Sequence, residues 1–389
     1  MKIESIDFFY LSMPEVEDIG DGSQDSVLVR VRGGGLEGWG ECEASPLPTI
    51  ASYVCPMSHS ACKPVKYAVE GMELKSIADI QKVTQKVHEH SFDLLQADHT
   101  LSGIDIALWD LLGKYLEVPV YELLGYKKSY PKLPYASMLF GDTPAETYAK
   151  ARTGRSQGFK AVKFGWGPIG KGSAQLDTEH FRAAREGLGV ENYLMVDIGT
   201  VWHDDVEKAK ERVAALKSID VYWLEEPFAN MALGAYQALS KYNIPLAAGE
   251  GCNNYLQASA MMEYAGLEFV QIDTGRVGGI TSAKRIAEDT EKRKLTYVNH
   301  TFTSHLALSA SLQSYAGIEK DIITEFPFEA KSLCEEMTVS KIQPNTDGWI
   351  TLPEQPGLGV EINKKGLEKY IVDTEIKVKG NVIYQSPDF

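Results

Sequence analysis

Six ionisable side chains recur at a nearly constant spacing in the second half of the chain. Each follows a short apolar run, such as LMVD or FVQID, and they are separated by 28, 25, 23, 27 and 25 positions: Asp197, Glu225, Glu250, Asp273, His300 and Glu325. A short β-branched or aromatic run that ends in a polar residue and leads into a helical segment is one strand–helix unit. Its repetition predicts a parallel α/β array, either a barrel or a doubly wound sheet. In a barrel, all six side chains would converge at one mouth.

Converging carboxylates predict chemistry at this mouth. Two like charges about 4 Å apart repel by about 4 kcal/mol at an effective dielectric constant near 20, so several carboxylates in one site need a cation or raised pKa values. A site made only of carboxylates suits a hard divalent ion, usually Mg²⁺ with water or substrate oxygens completing its shell. One such acid alone is better interpreted as a helix N-cap, whereas the regular series of six favours a shared site.

A lysine is expected to face the same mouth. Lys163 lies in the apolar run AVKFGW, and Gly165, two residues on, shares its strand face. A lysine beside a divalent metal and other cations has a lowered pKa, and it can act as a base or bind a carboxylate. The alternative, a solvated surface lysine, is disfavoured by the apolar residues on both sides.

Asp273 and His300 form a second expected constellation, because they end successive strands. A carboxylate beside an imidazole orients the ring and raises its basicity. His305, in the same segment NHTFTSH, begins the next helix, so His300 is the favoured base. Glu325 ends the last strand, where a protonated carboxylic acid could donate a hydrogen bond to a developing oxyanion. Its alternative interpretation is a capping or solvated acid.

Length and composition restrict the class of protein. A chain of 389 residues can form two or three domains with a large core. A net charge of −15 argues against a nucleic-acid or anionic-membrane partner. Five widely spaced cysteines without a CxxC pair, and a start without a basic segment followed by a long apolar run, predict a reduced, cytoplasmic protein. No run approaches the roughly 18 apolar residues of a membrane span.

The order of elements predicts an α+β domain followed by the barrel. Residues 1 to about 50 read as a three-stranded antiparallel meander and 76–126 as helices, giving a first domain over 1–127. Residues 44–66, rich in Pro and Ser, predict a mobile excursion. Strands near 134–140 and 161–166, with the six runs above, give eight barrel strands over 128–328. The segment 329–389 loses the periodicity and is expected to pack back on the first domain.

The series Lys, Asp, Glu, Glu, Asp, His, Glu on strands two to eight resembles the enolase superfamily, in particular the mandelate racemase subgroup of the mandelate racemase/muconate lactonizing enzyme family. The matching motifs are AVK, MVD, WLEEP, AAGE, QIDTGRVGG and VNH, followed by Glu325. LSGIDIALWDLLGK resembles the helical part of that family's capping domain. The resemblance covers nearly the whole chain, and the combination is specific although no single motif is.

This resemblance implies a (β/α)7β modified TIM barrel beneath an α+β capping domain. Mg²⁺ would be held by Asp197, Glu225 and Glu250, would bind a substrate carboxylate and would stabilise the enediolate left after removal of the α-proton. The Asp273–His300 pair would be the base. The cap loops at about 15–26 and 44–62 would close the mouth and select the substrate, and the protein would form a homo-oligomer, from dimer to octamer.

Two departures from the family pattern refine the expected reaction. The subgroup often has Lys-x-Lys on strand two, but Gly165 replaces the second lysine, so a two-base racemase lacks its simplest second base. This favours dehydration of an aldonate or aldarate to a 2-keto-3-deoxy acid, in which His300 serves both steps or Lys163 shares them. Gly199, where many relatives carry Asn, leaves room for a larger or differently held substrate.

The expected substrate contacts are Trp166, Trp202, Arg276 and His305, although either tryptophan could instead pack the barrel. The nearest alternative reaction on the same metal site is that of a cycloisomerase, racemase or epimerase. An alternative of another class is a non-catalytic metal-binding barrel, which the retained acids disfavour. A zinc hydrolase is weaker still, because no histidine cluster lies at the strand ends.

Overall fold

The computed structural model describes residues 1–43 and 45–389. Its strands are β1 Ile3–Ser12, β2 Asp25–Gly33, β3 Leu36–Cys42, β4 Leu133–Leu139, β5 Ala161–Gly165, β6 Tyr193–Asp197, β7 Trp223–Glu225, β8 Leu246–Ala248, β9 Phe269–Asp273, β10 Thr296–His300, β11 Ile323–Pro327, β12 Glu375–Val378 and β13 Asn381–Gln385. Its α-helices are α1 Pro46–Val54, α2 Lys66–Val69, α3 Ile77–His90, α4 Ala97–Leu116, α5 Val120–Leu123, α6 Pro144–Ser156, α7 Ala174–Leu188, α8 Val206–Ser218, α9 Leu233–Ser240, α10 Tyr255–Tyr264, α11 Gly279–Lys292, α12 His305–Gln313, α13 Ser332–Glu336 and α14 Lys364–Leu367.

Strands β4 to β11 form one eight-stranded parallel sheet, and the seven helices α6 to α12 alternate with them along the chain. The sheet order is β10-β9-β8-β7-β6-β5-β4-β11, so it curls until its two edge strands meet. Asn299 joins these edges, because its side-chain oxygen accepts the Glu325 backbone N–H at 2.8 Å. The expected (β/α)7β barrel is therefore confirmed.

Alternation along the strands explains both the core and the position of the site. Inward-facing Tyr135, Met195, Trp223 and Phe269 pack together in the barrel interior, where each is buried. Their strand neighbours point outward and pack against the helices. Because side chains two apart share a face, the residues at the carboxyl ends of the same strands continue the inward row above this apolar layer. The polar residues therefore lie above the apolar layer, at the end of the barrel where the strands have their carboxyl ends.

The first domain contains the expected antiparallel meander, in which Val29 of β2 faces Phe8 of β1 and Gly40 of β3. Helix α4 lies directly on β3. A Cβ atom at Gly40 would be 2.2 Å from the Gly103 carbonyl oxygen, so this close approach of helix and strand requires glycine. The sheet and the helices α3 and α4 form the expected α+β cap, and its hydrophobic core extends to residues of α11, α12 and the C-terminal segment.

The segment 44–66 differs from the expected mobile excursion. Residue 44 lies outside the described residues, but 46–54 forms α1, whose Ile50 and Val54 are buried in the core of the cap. The Pro- and Ser-rich sequence suggested a loop, yet Pro46 lies within the first turn of the helix, where proline is tolerated. Burial of the apolar face then stabilises the helix.

The C-terminal segment packs against the first domain. Phe389 stacks on Phe9 with 4.4 Å between ring centroids, and the Tyr384 hydroxyl donates a hydrogen bond to the Phe8 carbonyl oxygen at 2.7 Å. The division into 1–127, 128–328 and 329–389 stays a prediction. Within the described ranges, every helix is too short or too polar to cross a membrane.

Candidate active site

The carboxyl ends of the barrel strands surround a cavity of about 260 Å³ beneath the cap. Its wall consists of Ile19, Gly20, Asp21, Gly22, Glu43, Ser137, Met138, Leu139, Lys163, Gly165, Trp166, Asp197, Glu250, Arg276, His300, Phe302 and Glu325. Glu225 lies directly beneath this wall, beside Asp197 in the strand register, and Asp273 lies beside His300. The structure therefore brings together the seven strand-end residues that the sequence singled out.

Lys163 lies among three of the carboxylates. Its ammonium nitrogen is 2.5 Å from Glu225 Oε1, 3.0 Å from Glu325 Oε1 and 3.9 Å from Asp197 Oδ2. Burial alone would lower the pKa of Lys163, but Glu225 and Glu325 raise it well above its ordinary value. In this arrangement the lysine is a buried cation held by carboxylates, which does not favour the lowered pKa of a general base.

His300 and Asp273 form the expected pair. The ring nitrogen Nδ1 is 2.6 Å from Asp273 Oδ2, and because a carboxylate only accepts, Nδ1 carries the proton. The other nitrogen, Nε2, faces the cavity 3.3 Å from Glu250 Oε2 and 3.8 Å from Glu325 Oε2. Burial would lower the pKa of His300, but Glu250 and Glu325 raise it well above its ordinary value. Nε2 is thus the nitrogen that can exchange a proton with a molecule in the cavity.

Glu325 is held as a carboxylate, which corrects the expectation of a protonated acid. Burial would raise its pKa, but Lys163 and His300 lower it. Its Oε2 also accepts the Thr301 backbone N–H at 2.7 Å, a bond that favours the charged form. Asn299, through its bond to the Glu325 backbone, fixes the residue at the barrel seam.

The strand face at Gly165 is closed to a second lysine in this arrangement. A Cβ atom at position 165 would lie 2.5 Å from Asp197 Oδ2, so any side chain there would displace that carboxylate. The absence of Lys-x-Lys is therefore matched by the packing of Asp197 against the bare glycine backbone. His300 remains as the imidazole lining the cavity.

Asp197, Glu225 and Glu250 have the donor chemistry of a site for a hard divalent ion. Burial and the neighbouring carboxylates raise the pKa of both Asp197 and Glu225, which is the cost that a bound cation would relieve. In the described residues, however, no three His, Cys, Asp or Glu side chains are arranged to hold an ion as they stand. Lys163 contacts Glu225 instead. The three acids fit Mg²⁺ by donor type and position, and their role as ligands stays a prediction.

The cap contributes part of the wall. Arg276, from the loop after β9, forms a close ion pair with Glu43, which follows β3 of the cap. The Glu43 backbone N–H also donates to the Gly275 carbonyl oxygen at 3.3 Å. Burial would raise the pKa of Glu43, but Arg276 lowers it. Arg276 therefore lines the cavity as expected, with its charge already paired to the cap.

Trp166 lies between two glycines. A Cβ atom at Gly20 of the cap loop would be 2.5 Å from the indole ring, and one at Gly199 of the barrel would be 2.9 Å from it. The room beside Gly199, which was expected to accommodate a larger substrate, is therefore occupied by the tryptophan. Trp166 also adopts φ 58°, a strained conformation for a bulky residue, as found at functional sites.

Two expected substrate contacts lie elsewhere. Trp202 is buried in the barrel core, where its indole N–H donates to the Gly170 carbonyl oxygen at 3.1 Å. His305 begins α12 and packs edge-on against Phe326, and burial lowers its pKa to about 4. The described part of the loop at 44–62 likewise does not line the cavity. These described residues lie outside the proposed site.

Sequence reasoning missed residues that support the site from outside the strand ends. Glu43 and the buried Glu41 lie in the segment GECEA, where acids next to a glycine-rich turn carried no recognisable signal. Glu226, the second acid of WLEEP, is buried at φ 35°, and burial together with Glu250 raises its pKa to about 8. Asn299, next to the favoured His300, could have been found from its position alone.

The barrel, the cap and the strand-end acids define an enolase-type barrel protein. Comparison with known families agrees: a model of the mandelate racemase/muconate lactonizing enzyme N-terminal domain matches residues 19–125, and one described as enolase C-terminal domain-like matches 146–366. The chain belongs to the mandelate racemase/muconate lactonizing enzyme family of the enolase superfamily.

Individual relatives show how close the resemblance is. A crystal structure of a predicted mandelate racemase from Rhodobacter sphaeroides is 52% identical, covers 99% of each chain and superposes with a TM-score of 0.95. A D-galactonate dehydratase from Klebsiella pneumoniae is 30% identical over 68% of this chain and 71% of its own length. The 3,6-anhydro-D-galactonate cycloisomerase from Zobellia galactanivorans is 25% identical over 96% of this chain and all of its own, with a TM-score of 0.83.

Proposed function

We propose that this protein is a Mg²⁺-dependent sugar-acid dehydratase, which converts an aldonate or aldarate to a 2-keto-3-deoxy acid by removing the proton α to the carboxylate. The observation that carries this proposal is that the cavity has an acid–base side chain on one face only. His300 presents Nε2 to it, while the strand position of a second lysine is Gly165, whose face is covered by Asp197. One acid–base group suffices for dehydration, whereas a two-base racemisation needs one on each face. The relatives named as dehydratases support the same reaction class.

Substrate binding starts from the fixed charges. The Lys163 ammonium lines the cavity and can bind an oxygen of the substrate carboxylate, while Glu225 and Glu325 hold it in place. Asp197, Glu225 and Glu250 would hold Mg²⁺, which supplies positive charge to offset the negative charge that develops on the substrate carboxylate. Binding in a buried site strengthens these interactions because water is excluded.

Proton transfer then falls to His300. Nε2 acts in its deprotonated state, which would be favoured when Mg²⁺ offsets the charge of Glu250, one of the carboxylates that raise the pKa of His300. It takes the proton from C2 of the substrate while Asp273 holds the ring through Nδ1. The electron pair of the C–H bond is left on the α-carbon and its carboxylate. As the C3–O bond breaks and the C2–C3 double bond forms, the imidazolium returns a proton to the departing hydroxyl, so water leaves. The resulting enol takes up a proton at C3 and releases the proton of its C2 hydroxyl, which gives the 2-keto-3-deoxy acid.

A second candidate is a cycloisomerase on the same site. It is favoured by the resemblance to the 3,6-anhydro-D-galactonate cycloisomerase, which spans almost the whole chain. Both reactions begin with removal of an α-proton, and the leaving group decides between them: a free hydroxyl in dehydration, a ring oxygen in the cycloisomerase. Only dehydration changes the mass of the organic product by one water.

The test is turnover of a panel of aldonates, aldarates and anhydro sugar acids with Mg²⁺. Products are measured by semicarbazide absorbance and by mass. A 2-keto product lighter than the substrate by one water supports the dehydratase, and an isomer of unchanged mass supports the cycloisomerase. Calorimetric titration of Mg²⁺ into the protein and into Glu250→Gln separately tests the metal ligands. If both bind Mg²⁺ equally, Glu250 is not a ligand.

A further inference from the structure

The cations in the cavity wall are few, and each is already paired. Among the described residues of that wall, only Lys163, Arg276 and His300 can carry positive charge. Lys163 contacts Glu225 and Glu325, and His300 contacts Asp273. This pair of cations lies at the strand ends beside the proposed metal ligands. In the proposed function, Lys163 and His300 act at the end of the substrate that bears the reacting α-carbon and its carboxylate.

Arg276 is the remaining cation, and its charge is neutralised by Glu43 of the cap. Its Nε donates to Glu43 Oε2, and a second guanidinium nitrogen faces the Glu250 backbone carbonyl oxygen at 3.4 Å. Burial would lower the pKa of Arg276, but Glu43 raises it further above its already high value. To bind a substrate carboxylate, this arginine would have to leave a buried glutamate unpaired, which is costly.

Apart from Ser137, the rest of the described wall is apolar or acidic. The barrel side contributes the apolar side chains of Leu139, Trp166 and Phe302, and the cap loop contributes the segment 19–22. Asp21 is the charged member of that segment, and its Oδ1 accepts the backbone N–H of Ser23 at 2.8 Å. The nearest cation to Asp21 is Lys331, 4.0 Å from Oδ2 but outside the cavity wall and engaged with Glu17 at 2.6 Å.

We infer that the site takes a sugar acid with a single carboxylate, an aldonate-type monoacid, and discriminates against the corresponding aldarate. This inference rests on the proposed function and narrows its substrate class. One carboxylate is matched by Lys163 and the proposed metal. A second carboxylate at the other end of the sugar would be buried without a free counter-charge, because Arg276 is paired with Glu43, and it would face Asp21.

The same wall suits the hydroxyl groups of a monoacid. Carboxylate oxygens of Asp21 and Glu43 can accept hydrogen bonds from sugar hydroxyls, which carry no charge to repel. The side chains of Trp166 and Phe302 can cover the C–H faces of the carbon chain. A terminal CH₂OH group therefore meets acceptors and apolar surface where a terminal carboxylate would meet repulsion.

The test compares aldonate and aldarate pairs of identical configuration, such as galactonate with galactarate and gluconate with glucarate. Binding is measured by thermal shift with Mg²⁺ present, and turnover by formation of 2-keto acid. An aldarate loses the hydrogen bond that the terminal hydroxyl of the aldonate donates to a wall carboxylate, and it buries a second carboxylate without a counter-charge. Together these effects predict a preference of about 100-fold for the aldonate of the productive pair. An aldarate that binds or reacts as well as its aldonate overturns the inference.

The two readouts separate this inference from the proposed function. If an aldonate binds in preference to its aldarate but no 2-keto acid forms, the substrate class stands and the dehydratase proposal fails. If a 2-keto acid forms equally from both members of a pair, the dehydratase proposal stands and the inference fails. If no aldonate binds, the inference is overturned together with the function on which it rests.

A variant pair tests the charge argument directly. Ile19 lies in the cavity wall and is 47% exposed, so a longer side chain can be accommodated there. Ile19→Lys places a cation in the wall and is expected to shift the aldarate-to-aldonate ratio of kcat/KM by about 10-fold toward the aldarate. Ile19→Met is the uncharged control of similar length, for which the wild-type ratio is expected. An equal shift in both variants would contradict the argument.

Discussion

Glu41 is the clearest case in which the cap should make stability depend on pH. Its carboxylate is buried between the two domains: Oε1 accepts the Ser26 hydroxyl at 2.9 Å, and Oε2 accepts the hydroxyl of Ser304 at the start of α12. Burial raises its pKa from 4.5 to about 7, against the opposing effect of hydrogen bonds from Ser304, Ser26 and Thr303. The perturbation we consider is Glu41→Gln, which keeps the shape and removes the titration.

The sign follows from the raised pKa. Between pH 4.5 and about 7 the folded protein holds a proton on Glu41 that the unfolded chain has released. The stabilisation is therefore complete below about pH 4.5 and is lost as pH rises through 7. A shift of this size corresponds to about 3 kcal/mol at 1.36 kcal/mol per pKa unit. The free energy of unfolding of the wild type, minus that of Glu41→Gln, should thus fall by about 3 kcal/mol across this window.

The assay is urea unfolding of both proteins at a series of pH values between 4 and 8, followed by circular dichroism. Taking the difference between the two proteins removes the titration of all other groups. Glu319→Gln, at an exposed position, controls for the change in net charge. If the free energies of unfolding of wild type and Glu41→Gln run parallel across the window, Glu41 does not titrate with the raised pKa and the account of its burial is refuted.

Three further predictions concern the site. His300→Asn should reduce turnover by about 10³-fold or more because it removes the acid–base group, while calorimetry shows unchanged Mg²⁺ binding; full activity would exclude His300. Gly20→Ala should displace the Trp166 indole, shifting its fluorescence and raising KM by about 10-fold, whereas Gly234→Ala, with no neighbouring atom within 4 Å, should change neither. Asn299→Ala should lower the free energy of unfolding by about 2–4 kcal/mol in urea, because buried donors at the barrel seam lose their acceptor; an unchanged midpoint would contradict this.

The barrel and the positions of the strand-end residues could be predicted because they follow from two periods in the sequence: the strand–helix repeat and the alternation of side chains along each strand. A strand–helix repeat of nearly constant length specifies parallel strands, and the last inward residue of each strand must face the mouth. Asp197, Glu225, Asp273, His300 and Glu325 were placed by this rule. It needs no knowledge of long-range contacts, because the closure of the sheet brings the strand ends together.

The contacts made between the domains could not be predicted in this way. The ion pair of Arg276 with Glu43 and the packing of Gly20 on Trp166 join residues more than 100 positions apart, and no local period links them. The burial of Trp202 was undecided for the same reason, because an aromatic residue after a strand can face either the core or the mouth. The ionised state of Glu325 depends on how closely Lys163 approaches, which only the three-dimensional arrangement shows.

The central claim is that His300 removes the α-proton of a sugar acid. The most direct measurement is exchange of the C2 proton in D₂O, by NMR, with Mg²⁺ and the 3-deoxy analogue of an aldonate, which lacks the hydroxyl that would leave. The account predicts deuterium at C2 with retained configuration in the wild type and none in His300→Asn. Exchange that persists at the wild-type rate in His300→Asn, or inversion at C2 in the wild type, would contradict it.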